Sequence, residues 1–371
     1  MKIGYTILKQ TTLWGVSNMN GKKLQDALTE LFKDEQDVVL AKSIVGIADP
    51  AQIADFVDRF CIEYLSNHVS ECHFVVQSIG SSFGLRLDNG LDIYMKINKL
   101  HSEISTLSSF TLKALRAVSN VQDKLFHKGF PCPAIIRHPV EYQGTLVTIS
   151  EYANIGTQLN AHHPSVRREM AEKLAELLQL ADPYKGMDGF YMNDLHNSKS
   201  LYPPPHNALF DLAIGEKDAG WIDELAYKSK KIITSIESNI VLGHSDWSMK
   251  NMRFIDEKIV MIYDWDSLYL QDECHFIGNA ASTFPTTWDI PVKITPSQEE
   301  AISFVREYEL ARGKKLSSME WAKTSAYATF ILCYIARCEL SINPNNENYE
   351  GSCRQALQEM ESDSYLYNKR R

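Results

Sequence analysis

The sequence predicts an α+β chain of two lobes, an N-terminal lobe built on an antiparallel sheet and a larger, mainly helical C-terminal lobe. Three observations carry this. The chain has 371 residues, more than one hydrophobic core usually organises. Between residues 72 and 153, short β-prone runs alternate with Gly and Asn punctuation, whereas from residue 164 onward apolar residues recur at helical spacing. The composition, 44% hydrophobic and 23% charged, is that of an ordinary folded protein and excludes a fibrous, collagen-like or low-complexity chain.

The elements follow in order. Residues 22–34 and 50–66 carry apolar positions at helical spacing, and the second run opens on Asp49-Pro50, a helix entry with proline in the first turn. HFVVQSIG, FGLRLDNG and LDIYMKI then read as three antiparallel strands. Helical periodicity returns over residues 110–128 and stops at Gly129; PCPAII and GTLVTISEYA read as two more strands joined by a turn at Gln143-Gly144. Asn154 and Gly156 break the pattern, and SVRREMAEKLAELLQL is a strong helix, so the lobes divide near residue 155. The expected organisation is a helical extension over 1–70, an N-terminal lobe over 71–155 and a C-terminal lobe over 156–371. In the last of these come a loop with Pro203, Pro204 and Pro205, a helix near 221–236, the β-rich pair NIVLGHSDW and KIVMIYDWDS, helices over 297–311 and 317–340, and a polar, helix-prone end. No internal repeat is present.

The bulk numbers narrow the function. A formal charge of -9 argues against a chain that holds nucleic acid by neutralising phosphates. Seven scattered cysteines, odd in number and without a CxxC pair, fit neither a disulfide framework nor a zinc site and read as reduced thiols. The first fifteen residues lack the apolar core of a signal peptide, and the apolar stretch 326–336 is too short to cross a bilayer. The expectation is a cytoplasmic protein with no nucleic acid and no membrane partner, as a monomer or a homodimer.

The chemistry concentrates in GHSDWSMKNMRF and KIVMIYDWDS, where Asp246 is followed five positions later by Asn251 and thirteen further on by Asp264. Phosphoryl transfer from ATP needs a carboxylate to take the proton of the attacking hydroxyl, and oxygen ligands that hold magnesium against the phosphates. One hairpin would supply that set: a loop leaving a strand presents Asp246, turns back so that Asn251 meets the metal, and Asp264 at the end of the next strand completes it. Asp, Asn and Ser are also ordinary turn formers. The order, the preceding His244 and the flanking strands single these residues out.

HSDWSMKN with YDWD resembles the HxDxxxxN and downstream D-W/F-D/E signatures of the aminoglycoside phosphotransferase and choline kinase group, whose fold is similar to that of protein kinases. The resemblance implies a two-lobed protein-kinase-like fold, ATP and Mg2+ as cofactors, Asp246 as catalytic base, and Asn251 and Asp264 as metal ligands. It makes His244 a structural residue; Ser245 stands where the group usually has glycine. It implies that Lys96 on the third strand contacts the ATP phosphates, that Gly80, Ser81 and Ser82 turn over them, and that backbone groups at Glu151, Tyr152 and Ala153 pair with adenine. The 71–155 lobe would then bind ATP, and the 156–371 lobe would carry catalysis and the acceptor. The group's helix glutamate that pairs with the lysine has no counterpart, with only Glu103 and Asp123 nearby.

The acceptor would be a small-molecule hydroxyl, on an aminoglycoside-like antibiotic, an amino sugar, a choline-like compound or another metabolite, bounded by residues 187–227 and the C-terminal helices. Asp188, Asp194 and Asp289 would suit an amine-bearing one. Asp266 would hold a second magnesium, face the acceptor or cap a turn. Competing readings are a protein Ser/Thr kinase, against which the compact loop between Asp264 and Phe276 counts, a nucleotide-binding pseudokinase, and a structural protein with a coincidental motif.

Overall fold

The computed structural model describes residues 21–101, 110–190, 192, 199–344 and 351–366. Glu103 and Asp194 lie outside them. Helices α1 (Leu24–Leu31), α2 (Glu35–Val45) and α3 (Pro50–Leu65) precede strands β1 (Val69–Gln77), β2 (Ser81–Leu87) and β3 (Asp92–Lys99). Helix α4 (Leu112–His127) and strands β4 (Ile135–Tyr142) and β5 (Thr145–Glu151) complete an antiparallel sheet in the order β1-β2-β3-β5-β4. The sequence reading found the five strands and the Gln143-Gly144 turn, whose two residues take φ of 47° and 79°, the left-handed pair of a two-residue hairpin loop. It missed α2, whose apolar residues are bunched at 38–41 and 44–45 rather than spaced along one stripe.

Side chains alternate across a strand, and that alternation positions the site. Ile93, Met95 and Ile97 of β3 pack with Phe83 and Leu85 of β2 and Val147 and Ile149 of β5, under Leu28, Leu40, Ile53, Phe56 and Phe60 of the first three helices. These helices therefore share the sheet's core. Because one face is committed to them, the intervening Tyr94, Lys96 and Asn98 face the other way, toward α4 and the second lobe. Pro50 in the first turn and the Asp49 carboxylate accepting from Gln52 N at 2.9 Å start α3 where the sequence placed it.

The second lobe contains α5 (Pro164–Ala181), α6 (Gly220–Ser235), β6 (Ile240–His244), β7 (Met252–Ile255), β8 (Lys258–Ile262), β9 (Leu268–Asp272), α7 (Glu273–Thr283), α8 (Gln298–Arg312), α9 (Ser318–Ile342) and α10 (Cys353–Gln358). Here the sequence reading needs correction. Strand β6 pairs with β9, His244 opposite Leu268, and not with the KIVMI strand, which pairs with β7. What read as a compact loop after Asp264 is β9 followed by the start of α7. Both lie almost wholly inside the core, so neither shows the alternation or one-sided stripe by which a sequence announces a strand or helix.

Three buried ties hold this lobe around the site. Lys323 of α9, fully buried, donates to Ile236 O at 2.7 Å, Glu237 O at 3.1 Å and Ser238 Oγ at 2.8 Å, and pairs with Asp272 at the end of β9. Trp247, also fully buried, donates through Nε1 to Met170 O of α5 at 2.9 Å. The chain leaving the first lobe runs against β7, with Thr157 N–H to Phe254 O at 3.0 Å and Phe254 N–H to Thr157 O at 2.8 Å. Gly156 permits this approach: its φ is 67°, and a Cβ there would lie 2.7 Å from Phe254 O. All seven cysteines are buried free thiols, as expected. No helix among the described residues is long and apolar enough to cross a membrane.

Candidate active site

Strand β6 delivers the chain to the site, and buried His244 ends it. Its Nε2 meets Tyr263 O at 3.0 Å, its ring packs edge-on against Trp247 and Trp265, and burial lowers its pKa. A neutral histidine whose outward bond goes to the backbone holds the loop in place. Ser245 is tied down as well: its N–H reaches Ser267 O at 3.0 Å and its carbonyl accepts from Asn279. Asp246 follows. Its Oδ1 accepts from Ser248 Oγ at 3.1 Å, its Oδ2 lies 2.8 Å from Lys250 Nζ, and its carbonyl accepts from Asn251 Nδ2 at 2.9 Å. Lys250 lies inside the quoted motif, four residues after Asp246, but its role as a charge partner needed the structure.

The β7–β8 hairpin brings Asp264 back to the same place. Asn251 immediately precedes β7, Met252 pairs with Ile262 of β8, and Tyr263 N–H donates to Asn251 O at 2.8 Å. Asp264 has φ 65° and ψ 45°, the left-handed region that costs a non-glycine residue of order 1–3 kcal/mol and concentrates at functional sites. Asp246, Asn251 and Asp264 thus converge. The hairpin alone does not achieve it, since the loop carrying Asp246 hangs from the separate β6–β9 ladder.

Lys96 reaches the same cluster from the first lobe. It pairs with Asp264 and, at 2.7 Å, with Asp266, which also accepts from Asn98 Nδ2 at 2.9 Å. Burial works against the Lys96 charge, but the two carboxylates outweigh it and hold its pKa well above the lysine range. Two acids share one ammonium. Burial raises both; the lysine prevails at Asp264 and lowers it, whereas burial and the Asp264 charge leave Asp266 raised. Asp266 is therefore a partner of Lys96. Asp123 is not: it sits beside His127, 3.6 Å away on the outer surface of α4. The helix presents Leu115, Val118, Ser119 and Gln122 to the space beside Lys96 instead.

A metal ion here would find hard oxygen donors. Asn251 spends its amide nitrogen on Asp246 O, and its backbone carbonyl accepts from Tyr263 N–H, one residue before Asp264, so its amide oxygen stays available to a metal. No group of three or more His, Cys, Asp or Glu among the described residues could cage a metal. One amide oxygen and one carboxylate fit magnesium, which keeps waters and substrate phosphates as its other ligands, and do not fit a soft metal.

The remaining expected residues divide. Gly80 and Ser82 line the same cavity as Lys96 and Asp246; a Cβ on Gly80 would sit 2.8 Å from Ile97 O and 3.3 Å from Lys96 Cε. Ser81 is turned elsewhere, its hydroxyl donating to Gln77 Oε1 at 2.5 Å. At the hinge, Glu151 N–H donates to Ala134 O at 2.9 Å, Tyr152 N–H to Asp92 O at 3.4 Å, and Ala153 O accepts from the Tyr263 hydroxyl at 2.5 Å. Those groups already have partners within the protein. Of the acids expected near an acceptor, Asp188 is exposed and pairs with Lys113, and Asp289 accepts from Gln158; neither lines the cavity.

That cavity has a volume of about 350 Å³. It runs from Gly80 and Lys96 past Asp246 to a wall formed by α9, with Pro203, His206 and Phe210 along one side. These three lie in the 187–227 segment, and none was singled out from the sequence for this role. Loop prolines and a lone histidine carry no signal of what they face.

No protein-family model matches the sequence, and no curated protein matches it. Solved structures do. An amicoumacin kinase in complex with AMP-PNP and Ca2+ superposes with a TM-score of 0.52 at 10% identity, covering 76% of this chain and 91% of that one. A spectinomycin phosphotransferase with ADP and spectinomycin gives 0.52 at 12% identity, with 84% and 96% covered. A type I macrolide 2′-phosphotransferase gives 0.50 at 12%, with 85% and 98% covered. At such identities the likeness is one of architecture, and the chain has the two-lobed kinase-like fold that these proteins share.

Proposed function

We propose that the chain is a magnesium-dependent phosphotransferase that moves the γ-phosphoryl group of ATP to a hydroxyl of a small molecule. The observation that carries the reading is the convergence of Asp246, Asp264 and Lys96, from two lobes and three separate segments, at one end of a 350 Å³ cavity, with Asn251 bonded to the Asp246 carbonyl behind it. The solved proteins of this fold, with AMP-PNP and Ca2+ or with ADP in their sites, support the choice of cofactor. Residues 71–155 serve in this reading as the nucleotide lobe and 156–371 as the catalytic and acceptor lobe.

Asp246 takes the proton of the acceptor hydroxyl. The acceptor oxygen forms a bond to the γ-phosphorus while the bond from that phosphorus to the β,γ-bridging oxygen breaks, its electron pair leaving with ADP. Lys250 and Ser248 hold the two oxygens of Asp246 in one orientation, which fixes the direction from which a hydroxyl approaches. Lys96 exchanges a carboxylate partner for phosphate oxygens. Asn251 and Asp264 would hold magnesium, which when bound would neutralise charge that develops on the transferred group.

Incubation with γ-labelled ATP, magnesium and a panel of hydroxyl compounds tests this. Transfer is expected for the wild type and not for Asp246→Ala, with nucleotide affinity largely kept. Equal transfer by both removes Asp246 from the role. ATP binding without any transfer would favour the pseudokinase reading, which draws on the sealed Lys96 cluster and the internally paired hinge.

A further inference from the structure

The cavity that meets Asp246 is charged at one end only. From Asp246 outward it is walled by a single face of α9, where Phe330, Ile331, Tyr334, Ile335, Cys338 and Ile342 recur at the i, i+1, i+4, i+5 spacing of a helix stripe. Trp288, Phe210 and Tyr269 add aromatic rings to its lining. Among the described residues lining it, the charged side chains are Lys96, Asp246, Lys250, Asp264, Asp266 and Glu339. The first five belong to the catalytic cluster, where each carboxylate faces a lysine.

Glu339 alone lies on the far wall. Its carboxylate accepts from Cys353 N–H at 3.0 Å and Arg354 N–H at 3.2 Å, so it is turned into the α9–α10 junction; burial pushes its pKa up to about 7. The two lining histidines add no charge. Burial lowers both His206 and His275 to about 4. His206 is bonded to the Tyr334 hydroxyl at 2.9 Å, and His275 to the Tyr269 hydroxyl at 2.8 Å. His275 Nδ1, on a side chain only 5% exposed, has no hydrogen-bond partner among the described residues.

We propose that the acceptor is an uncharged alcohol with an apolar, largely aromatic body, seated against the α9 stripe with its hydroxyl at Asp246. This deepens the phosphotransferase reading and rests on it. The reason is desolvation. A polyammonium ligand would leave water for a wall whose one carboxylate among the described residues, Glu339, is turned into the α9–α10 junction, and a charge desolvated without a partner is strongly disfavoured. An apolar body instead gains in proportion to the area it removes from water. The volume is that of a ligand pocket for a compound of drug-like size.

The test uses 2-(1-naphthyl)ethanol, kanamycin and choline as probes with the full chain, reading three quantities: probe binding by naphthalene fluorescence, ATP binding, and ADP released with and without probe. Naphthylethanol is expected to bind and to raise ADP release, with a phosphate ester formed, while kanamycin and choline leave the water-directed rate unchanged. Ile331→Arg, a substitution on the wall and outside the packed core, is expected to raise the KM for naphthylethanol at least tenfold with ATP binding unaltered; Ile331→Leu restores it. Stimulation by kanamycin or choline and not by naphthylethanol overturns the proposal and leaves the phosphotransferase reading standing. Absence of ATP binding removes that reading, while naphthylethanol binding that Ile331→Arg abolishes still supports the assignment of the wall. Equal naphthylethanol binding by wild type and Ile331→Arg overturns it.

Discussion

At its Lys96 end the cavity is built from opposite charges drawn from both lobes, whereas at its α9 end it is built from one helix face and a few aromatic rings. The first end has residues in costly states: a left-handed aspartate, two buried carboxylates on one ammonium, a buried histidine held neutral. The second is packing of apolar and aromatic side chains around two histidines that burial keeps neutral and a carboxylate turned aside, with no ion pair across the cavity among the described residues that line that end. Costly arrangements persist only where the surroundings over-determine them, so they mark the place where geometry is under chemical constraint. Apolar packing decides which molecule fits and leaves little trace in residue type.

Four measurements would sharpen or break that contrast. The largest effect is expected for Asp246→Asn, which keeps the side-chain shape and removes the proton acceptor. Phosphoryl transfer should fall by roughly 10²- to 10⁴-fold, with ATP affinity within a few-fold by calorimetry. A loss of less than tenfold would remove the functional distinction between the two ends.

Next comes Lys96→Met. It leaves Asp264 and Asp266 facing each other without a countercharge, and removing one member of a buried ion cluster costs about 3–5 kcal/mol. Burial and mutual repulsion then raise a carboxylate pKa in the folded state above its unfolded value. Between those two values the folded form binds more protons, so the variant should regain stability as pH falls from 7 toward 4. Denaturant midpoints at pH 5 and pH 8 measure this. A deficit that does not narrow in acid would show that the two carboxylates are not the source of the cost.

A smaller effect of opposite sign belongs to the other end. His275 has a folded pKa of about 4, below its unfolded value, so the unfolded chain takes up the proton first and stability falls as pH drops from about 6.5 to about 4. The linkage amounts to at most about 3 kcal/mol. His275→Gln should flatten that slope, because the loss of the Tyr269 bond is common to both pH values. An unchanged slope would mean that His275 titrates normally.

The smallest effect is expected for Tyr334→Phe, which removes the hydroxyl that His206 N–H reaches at 3.1 Å and Nδ1 at 2.9 Å. A loss of about 1 kcal/mol in stability is expected, with the rate of transfer unchanged and only KM altered. A fall in kcat comparable with that of Asp246→Asn would place Tyr334 in the chemistry and erase the contrast.

The legibility of the two ends follows the same division. HSDWSMKN and YDWD stood out through their order, their flanking strands and their resemblance to a family signature, and Lys96 as the lysine which that resemblance expects on the third strand; the pleat and the first three helices explain why it faces the site. Tyr334, Ile335 and Phe330 read only as core of a long helix. An apolar helix face looks the same from sequence whether a neighbouring helix or a ligand covers it. Asp266 and Lys250 fell between these cases, present in the quoted motifs with partners that no spacing announces.

What the sequence determined by itself is what adjacent residues settle among themselves: the Asp49-Pro50 helix start, the Gln143-Gly144 turn, the alternation that orients β3, and the order of the site residues along the chain. Tertiary structure decided the rest. It paired β6 with β9 instead of its nearer neighbour, gave Lys96 partners 168 and 170 residues away, and left the α9 stripe facing a cavity. These outcomes turn on which surfaces finally exclude water from one another. That is a property of distant segments after the chain has closed on itself, and propensity in a short window does not carry it.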